Sequence, residues 1–237
     1  MISIVMPAFN EAAMLEDSVT AIVSALRSDE VEFELHVVEN GSTDGTPSVL
    51  ARLARDLPEV VPHSLRAADY GEALRTGLLE ARGDAGVVFD VDYYDLRFLK
   101  EALELLDTSA DPVGPVVVVG SKRAPGASDQ RGALRRLATS AFTAVLQRGF
   151  GLTLTDTHGV KVLNLEALRP TVRVCRLGTD LFDTELILRA ERSGYRTAEI
   201  PVSVHERRPS RTPILRRVPR TLVGLVRLRQ VLGPRTR

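Results

Sequence analysis

The stretch Gly86-Val87-Val88-Phe89-Asp90-Val91-Asp92 is an apolar run that ends in two carboxylates separated by one residue. A short β-branched run stopped by charge predicts a buried strand of a parallel sheet, and the ligands of open α/β sheets bind at the carboxyl ends of such strands. Residues i and i+2 of an extended segment point the same way, so Asp90 and Asp92 can face one hard divalent cation, which could clamp a diphosphate. The alternative is a strand that ends in a solvated acidic turn, because this spacing also recurs by chance.

Short apolar runs alternate with helical patterns around this stretch. Residues 2–6 and 33–38 predict strands, whereas the segments after Asn10 and Thr46 and residues 70–81 predict helices. The alternation predicts βαβ units, and therefore an α/β, Rossmann-like, mostly parallel sheet. No Gly-x-Gly-x-x-Gly follows the first strand and no Gly-Lys-Ser/Thr phosphate loop occurs, which disfavours dinucleotide-dependent dehydrogenases and P-loop NTPases.

Composition indicates an ordinary globular domain, since 44% of the 237 residues are hydrophobic and 26% are charged. The single Cys175 excludes a disulfide framework and any cysteine-based zinc site. The first residues lack the features of a signal peptide, and no apolar run approaches the ~20 residues of a membrane span. We therefore expect a cytoplasmic protein.

Positive charge is concentrated at the end of a chain whose net charge is zero. Ten arginines and no acidic residue lie from Arg207 onward, which leaves the remainder acidic by ten. We expect a domain over 1–208 and a basic amphipathic tail over 209–237, in which Pro213 and Pro219 limit any helix to short pieces. Such a tail suggests an anionic partner such as a phospholipid surface, whereas nucleic acid is disfavoured because no aromatic residues interleave with the arginines.

Several ordered segments carry a further signal. They are Ile4-Val5-Met6-Pro7-Ala8-Phe9-Asn10-Glu11, Glu39-Asn40-Gly41-Ser42-Thr43-Asp44-Gly45-Thr46, Gly71-Glu72-Ala73-Leu74-Arg75-Thr76-Gly77, Arg82-Gly83-Asp84, Asp90-Val91-Asp92, Gly120-Ser121-Lys122-Arg123, Asp156-Thr157-His158-Gly159-Val160-Lys161 and Phe182-Asp183-Thr184-Glu185. Their order resembles the inverting family 2 glycosyltransferases of GT-A fold, especially the dolichyl- and polyprenyl-phosphate sugar synthases. The resemblance covers the chain to about residue 208, and the fold it implies is a Rossmann-like sheet with helices on both faces.

The resemblance implies a role for each group of residues. The donor nucleotide sugar would be bound by Pro7, Phe9, Glu11, Glu39, Asn40, Asp90 and Asp92. Asp90 and Asp92 would also hold Mg²⁺ or Mn²⁺ on the diphosphate, and Arg123, Arg131 and Arg135 would bind the phosphate of a lipid acceptor. The expected activity is metal-dependent transfer of a hexose from a GDP- or UDP-sugar to a polyprenyl phosphate, at the inner face of the cell membrane.

Departures from the family pattern leave alternatives open. Glu39-Asn40 stands where two aspartates are usual, Tyr93-Tyr94 replaces Leu-Gln, and His158 replaces glutamine. One alternative keeps the donor but uses a soluble hydroxyl acceptor. Another is a degenerate member that binds nucleotide without turnover.

Asp92 and Asp156 are the catalytic candidates. A phosphate acceptor is already ionised and needs no general base, whereas a hydroxyl acceptor does. Asp156 is therefore either a base near the sugar or a structural carboxylate that holds its loop. Asp183 and Glu185 are interpreted as acidic residues that open a helix, where the helix dipole favours them.

Overall fold

The computed structural model describes residues 1–129, 133–178, 181–204 and 214–233. Within these ranges the strands are β1 (Ile2–Ala8), β2 (Phe33–Asn40), β3 (Val60–Leu65), β4 (Ala85–Val88), β5 (Pro115–Ser121), β6 (Ser128–Asp129), β7 (Lys161–Asn164), β8 (Arg196–Pro201) and β9 (Ser203–Val204). The helices are α1 (Leu15–Ser28), α2 (Thr46–Asp56), α3 (Tyr70–Glu80), α4 (Leu96–Leu105), α5 (Ala133–Phe150), α6 (Leu165–Val174), α7 (Phe182–Arg192) and α8 (Ile214–Leu232).

Seven strands form one sheet in the order β3-β2-β1-β4-β7-β5-β8, and β6 pairs with β9 beside it. Every neighbouring pair in the large sheet is parallel except those of β7, which runs antiparallel to both β4 and β5. The predicted α/β fold with a mostly parallel sheet is confirmed. The antiparallel insertion of β7 was not predicted, because the local pattern of a strand does not specify its neighbours.

Apolar side chains of the sheet alternate between two cores. In β1, Ile4 and Met6 belong to the core that is shared with α1, α2 and α4, whereas Val5 belongs to the core that includes α3, α6 and α7. This period of two is expected for a strand that is covered on both faces. Helices therefore lie on both faces of the sheet, as the family resemblance implies.

Side-chain caps fix the starts of three helices. Asp69 accepts the N–H of Glu72 at the start of α3, and Asp95 accepts the N–H groups of Arg97 and Phe98 at the start of α4. Asn164 likewise caps α6. The helix α6 was not predicted from the sequence. It contains Pro170, whose missing N–H removes one backbone hydrogen bond from the helix.

Within the basic end of the chain, the described residues Ile214–Leu232 form one long helix, α8. The prediction that Pro219 limits helices to short pieces is wrong, since α8 runs through it. Tertiary packing outweighs the proline: Leu228 is fully buried, and Arg189 and Arg192 of α7 donate to backbone carbonyls at the end of α8. The boundary between 208 and 209 falls among residues outside the described ranges and stays a prediction.

No helix in the described ranges has both the length and the apolar composition needed to cross a bilayer.

Candidate active site

A tight turn at the carboxyl end of β4 carries Asp90 and Asp92. Asp90 and Tyr93 exchange backbone hydrogen bonds across it, with N···O distances of 3.1 and 3.2 Å. Ser18 of α1 fixes the turn from the other side, because its hydroxyl donates to the Val91 carbonyl at 2.7 Å. Both aspartates therefore lie at the carboxyl end of β4, where the sequence predicts a ligand. They lie on a turn and not on an extended segment, so their spacing does not give them the shared orientation that the sequence predicts, and of the two Asp90 lines the neighbouring cavity.

A cavity of about 180 Å³ opens beside Asp90. Its lining residues come from five segments of the chain and are Tyr70, Asp90, Lys122, His158, Gly159 and Asp183. Both signs of charge therefore face the same space. A cavity of this kind can bind a ligand that carries an anionic group together with a cation.

Asp183, one of the lining residues, belongs to a buried ion pair. The ammonium of Lys161 lies 3.1 Å from Oδ2 of Asp183, with the two side chains 0% and 2% exposed, and it donates to the Gly159 carbonyl at 2.8 Å. The other carboxylate oxygen of Asp183, Oδ1, is buried and has no hydrogen-bond partner among the described residues. Buried polar atoms are nearly always paired, so the partner of this oxygen is a water molecule, a ligand or a residue outside the described ranges.

The surroundings of Asp90 disfavour the ionised form of its carboxyl group. Burial raises the pKa of Asp90 above its ordinary value, and the carboxylates of Asp92 and Asp183 act in the same direction. Lys161 and Lys122 act against this increase. A bound cation would lower the pKa of Asp90, because it stabilises the ionised form of the carboxyl group.

Asp90 and Asp92 fit a hard cation that takes the rest of its ligands from elsewhere. Among the side chains that the structure describes, no group of three or more His, Cys, Asp or Glu could hold a metal alone. Two carboxylates supply hard oxygen ligands, and Mg²⁺ in particular is usually held by one or two carboxylates together with phosphate oxygens and water. The donor set therefore suits a cation that arrives with a diphosphate.

Three predicted donor-binding residues lie at or just after the end of β1. Pro7 is buried near the end of β1, which pairs with β4, and Phe9 is 37% exposed. The N–H of Glu11 donates to the Thr46 hydroxyl at 2.8 Å and joins this loop to the start of α2. A donor-binding role for the three residues stays a prediction.

Glu39 and Asn40 hold the loops on either side of them. The Glu39 carboxylate accepts the Ser42 N–H at 2.5 Å and the Ser64 hydroxyl at 2.9 Å. The side-chain oxygen of Asn40, Oδ1, accepts the N–H of Asp69 at 2.7 Å. Both side chains are almost fully buried, and their described hydrogen bonds connect the loops around the carboxyl end of β2.

Asp156 makes structural hydrogen bonds and does not line the cavity that the described residues enclose. Its carboxylate accepts the N–H of His158 at 3.0 Å, and its own N–H donates to Glu199 of β8 at 2.9 Å. These contacts match the loop-holding alternative that the sequence left open. A catalytic role for Asp156 is not tested by them.

The predicted acceptor-binding arginines are less directly placed. Arg123 donates to the Ser140 hydroxyl of α5 at 2.6 Å, and its neighbour Lys122 is the residue that lines the cavity. Arg131 lies outside the described residues. Arg135 belongs to α5, but its side chain is not among those described.

Sequence reasoning assigned no site role to Tyr70, Lys122 and Asp183, which line this cavity, or to Lys161, the buried partner of Asp183. Two further lining residues, His158 and Gly159, were noted only as parts of a family-like segment. One signal was available for Lys161, because a lysine between Val160 and Val162 in an apolar strand requires a buried partner. Asp183 lies in the first turn of α7, as the sequence predicts. The helix-dipole explanation accounted for its position there, so its ion pair with Lys161 was not anticipated.

The family model for glycosyl transferase family 2 matches residues 3–169, from β1 to α6. The chain belongs to glycosyl transferase family 2. This match spans the β4 turn and three of the segments that line the cavity with it, and it leaves α7 and α8 outside.

Two curated relatives resemble this family 2 chain over most of its length. It is 30% identical over 220 residues to glycosyltransferase AglD of Haloferax volcanii, covering 91% of the chain but 35% of the relative. It is 25% identical to the dolichyl-phosphate beta-glucosyltransferase of Saccharomyces cerevisiae, covering 86% of the chain and 67% of that enzyme. The chain thus spans about a third of the first relative and about two thirds of the second.

A solved structure supports the fold. The family 2 chain superposes on glucosyl-3-phosphoglycerate synthase of Mycobacterium tuberculosis with a TM-score of 0.68 and 23% identity, covering 98% of this chain and 78% of that one. That crystal contains Mn²⁺, uridine diphosphate and phosphoglyceric acid. The likeness confirms the GT-A fold that the sequence predicts.

Proposed function

We propose that this chain is a metal-dependent, inverting glycosyltransferase that moves a hexose from a GDP- or UDP-sugar to a polyprenyl phosphate. One observation carries the proposal: Asp90 and Lys122 line a single cavity at the carboxyl edge of the sheet in a family 2 chain. A carboxylate that suits a cation and an ammonium that suits a phosphate then face the same small volume. This pairing fits a metal-bound diphosphate donor next to a phosphate acceptor.

The reaction needs little proton chemistry from the protein. Asp90 and Asp92 would hold Mg²⁺ or Mn²⁺, which when bound neutralises charge on the leaving diphosphate. Lys122 attracts phosphate oxygens, with Arg123, Arg131 and Arg135 as further proposed contacts. An acceptor phosphate oxygen attacks the anomeric carbon from the face opposite the diphosphate, the bond to the diphosphate oxygen breaks, and the configuration inverts. No general base is required, because the acceptor is already ionised.

The proposed place of work is the inner face of the cell membrane. The amphipathic helix α8 exposes Leu222, Val223 and Val226, and the chain from Arg207 onward, which includes α8, carries ten arginines without an acidic residue. Apolar side chains and arginines together suit an anionic leaflet, near which each basic residue adds about 1 kcal/mol. A lipid-phosphate acceptor would be met at that surface.

A second candidate is transfer to a soluble hydroxyl acceptor. The observation that favours it is the carboxylate of Asp183, a lining residue of the cavity, which could accept a hydrogen bond from an acceptor hydroxyl and then its proton. Turnover with a hydroxyl acceptor such as 3-phosphoglycerate, combined with none on a short polyprenyl phosphate, would select this candidate.

The test compares wild type with Asp92→Asn, which keeps size and polarity while removing one anionic ligand. UDP- and GDP-sugars are titrated with Mn²⁺ and with chelator, and donor consumption is then followed with a short polyprenyl phosphate. We expect metal-dependent donor binding to weaken. If the metal supplies ~3 kcal/mol to the transition state, turnover falls roughly a hundredfold.

A matched control is Asp111→Asn, which removes the same charge from an exposed turn before β5, at the opposite edge of the sheet. Its binding and turnover should equal those of wild type. Equal donor binding by wild type and Asp92→Asn, with metal and with chelator, would sink the metal site. Donor binding without turnover on any acceptor would indicate a degenerate, nucleotide-binding member.

A further inference from the structure

Tyr70 joins the start of α3 to the predicted metal ligand. It is the first residue of α3, its side chain lines the cavity, and its phenol hydroxyl donates to Oδ1 of Asp90 at 3.3 Å. Tyr70 and Asp90 belong to different βα units. The hydrogen bond therefore ties the start of one helix to the turn that carries the two carboxylates.

The start of α3 is fixed from two sides. Oδ1 of the Asn40 side chain accepts the N–H of Asp69, and the Asp69 carboxylate in turn caps the helix. On the other side Gly71 packs so closely that a Cβ atom there would lie 2.8 Å from Gly178 and from the Cβ of Phe182. The backbone that carries Tyr70 is thus held in place by contacts made within the protein.

A carboxylate on a turn has a broad preference for its last torsion angle, χ2. A hydrogen bond from a fixed donor narrows that range. It also uses only one of the roughly four lone-pair positions of the carboxylate, so the others stay available to a cation.

We propose that Tyr70 is the positioning residue of the metal site: its phenol fixes the orientation of the Asp90 carboxylate and so raises the affinity for the cation that accompanies the donor diphosphate. This inference rests on the proposed function. Hydrogen-bond partners behind a metal ligand commonly contribute about 10- to 100-fold to metal affinity.

Tyr70→Phe removes the hydroxyl and leaves the ring. Calorimetric titrations of UDP and of GDP, with Mn²⁺ and with chelator, are combined with the electron paramagnetic resonance signal of free Mn²⁺. We expect Mn²⁺ to bind about tenfold more weakly in the presence of nucleotide. Nucleotide affinity in chelator and the urea unfolding midpoint should not change, which separates this role from a general structural one.

Tyr195→Phe is the matched control. The Tyr195 hydroxyl donates to the Ala167 carbonyl at 3.5 Å, away from the cavity, and its loss should leave the Mn²⁺ constant at the wild-type value. An unchanged Mn²⁺ constant in Tyr70→Phe, with metal-dependent binding intact in wild type, overturns this inference alone. Absence of metal-dependent binding in wild type overturns the metal site and this inference together.

Discussion

Lys161 is expected to contribute strongly to stability, because it is a fully buried member of an ion pair. Taking away one partner of a buried ion pair leaves an uncompensated charge, at a cost of about 3–5 kcal/mol. We expect Lys161→Met to lower the free energy of unfolding by about that amount in urea denaturation, since Asp183 would remain 2% exposed beside it. Loss on this scale would also leave less of the chain folded at a given temperature.

The control for this prediction is Lys100→Met. Lys100 pairs with Asp29 at 3.0 Å, but its side chain is 65% exposed. Solvent-exposed pairs contribute about 0–1 kcal/mol, so this variant should unfold almost as wild type does. Similar losses in the two variants would contradict the special cost of the buried pair.

At the residue scale the sequence reveals some site residues and hides others. Asp90 and Asp92 are visible because a local pattern, a strand followed by two carboxylates, places them at the edge of the sheet. Lys161 and Asp183 come from β7 and α7, and only the folded topology brings their side chains together. Their pairing could not be predicted from spacing.

At the scale of the element, α3 lies so close to β1 that one position admits no side chain. A Cβ atom on Gly77 would come within 2.3 Å of Cγ1 of Val5. Alanine favours a helix by about 1 kcal/mol over glycine, but overpacking in a dense core typically costs about 1–3 kcal/mol. We therefore expect Gly77→Ala to lower the urea unfolding midpoint despite its better helix propensity.

Gly149, near the end of α5, provides the opposite case. A Cβ atom added there would meet no atom of the described residues within 4 Å, so Gly149→Ala should be neutral or stabilising by less than about 1 kcal/mol. The same urea titration measures both variants. Destabilisation of both to the same extent would show that helix propensity and packing have been assigned wrongly.

The elements differ in how well they can be predicted from local sequence. The strands β1, β2 and β4 are predicted because their apolar runs are followed by proline, by a polar loop or by charged residues. The helix α8 is mispredicted because Pro219 is a strong local signal, whereas the burial of Leu228 that stabilises the helix is a tertiary effect. The position of β7 between β4 and β5 is likewise invisible to any local pattern.

At the scale of the whole molecule, α8 has one face toward the core and another toward solvent. Leu228 is fully buried, whereas Leu222, Val223 and Val226 are 53–59% exposed. Replacing the three exposed residues by serine should weaken binding to anionic vesicles roughly tenfold, since each loses apolar area that a bilayer would cover. The unfolding midpoint should stay the same, and co-sedimentation at several salt concentrations measures the binding.

Leu228→Ser is the contrasting variant. It places a hydroxyl in the core and should lower the free energy of unfolding by at least about 2 kcal/mol. Vesicle binding that is identical in wild type and in the triple serine variant would remove α8 from the membrane proposal. The basic segment from Arg207 onward would then require a function other than membrane binding.

The antiparallel placement of β7 has a consequence for synthesis of the chain. β1, β2 and β3 can assemble with β4 as soon as residue 88 has emerged, but the second edge of β4 pairs with residues 161–164. At about 5–20 residues per second, the ribosome needs roughly 4–15 s to make the intervening segment. During that interval the nascent sheet exposes an apolar edge with open hydrogen-bonding groups, the kind of edge that pairs with other chains. The edge of β4 that lies inside the finished sheet is therefore the edge that the nascent chain leaves open until residues 161–164 have been made.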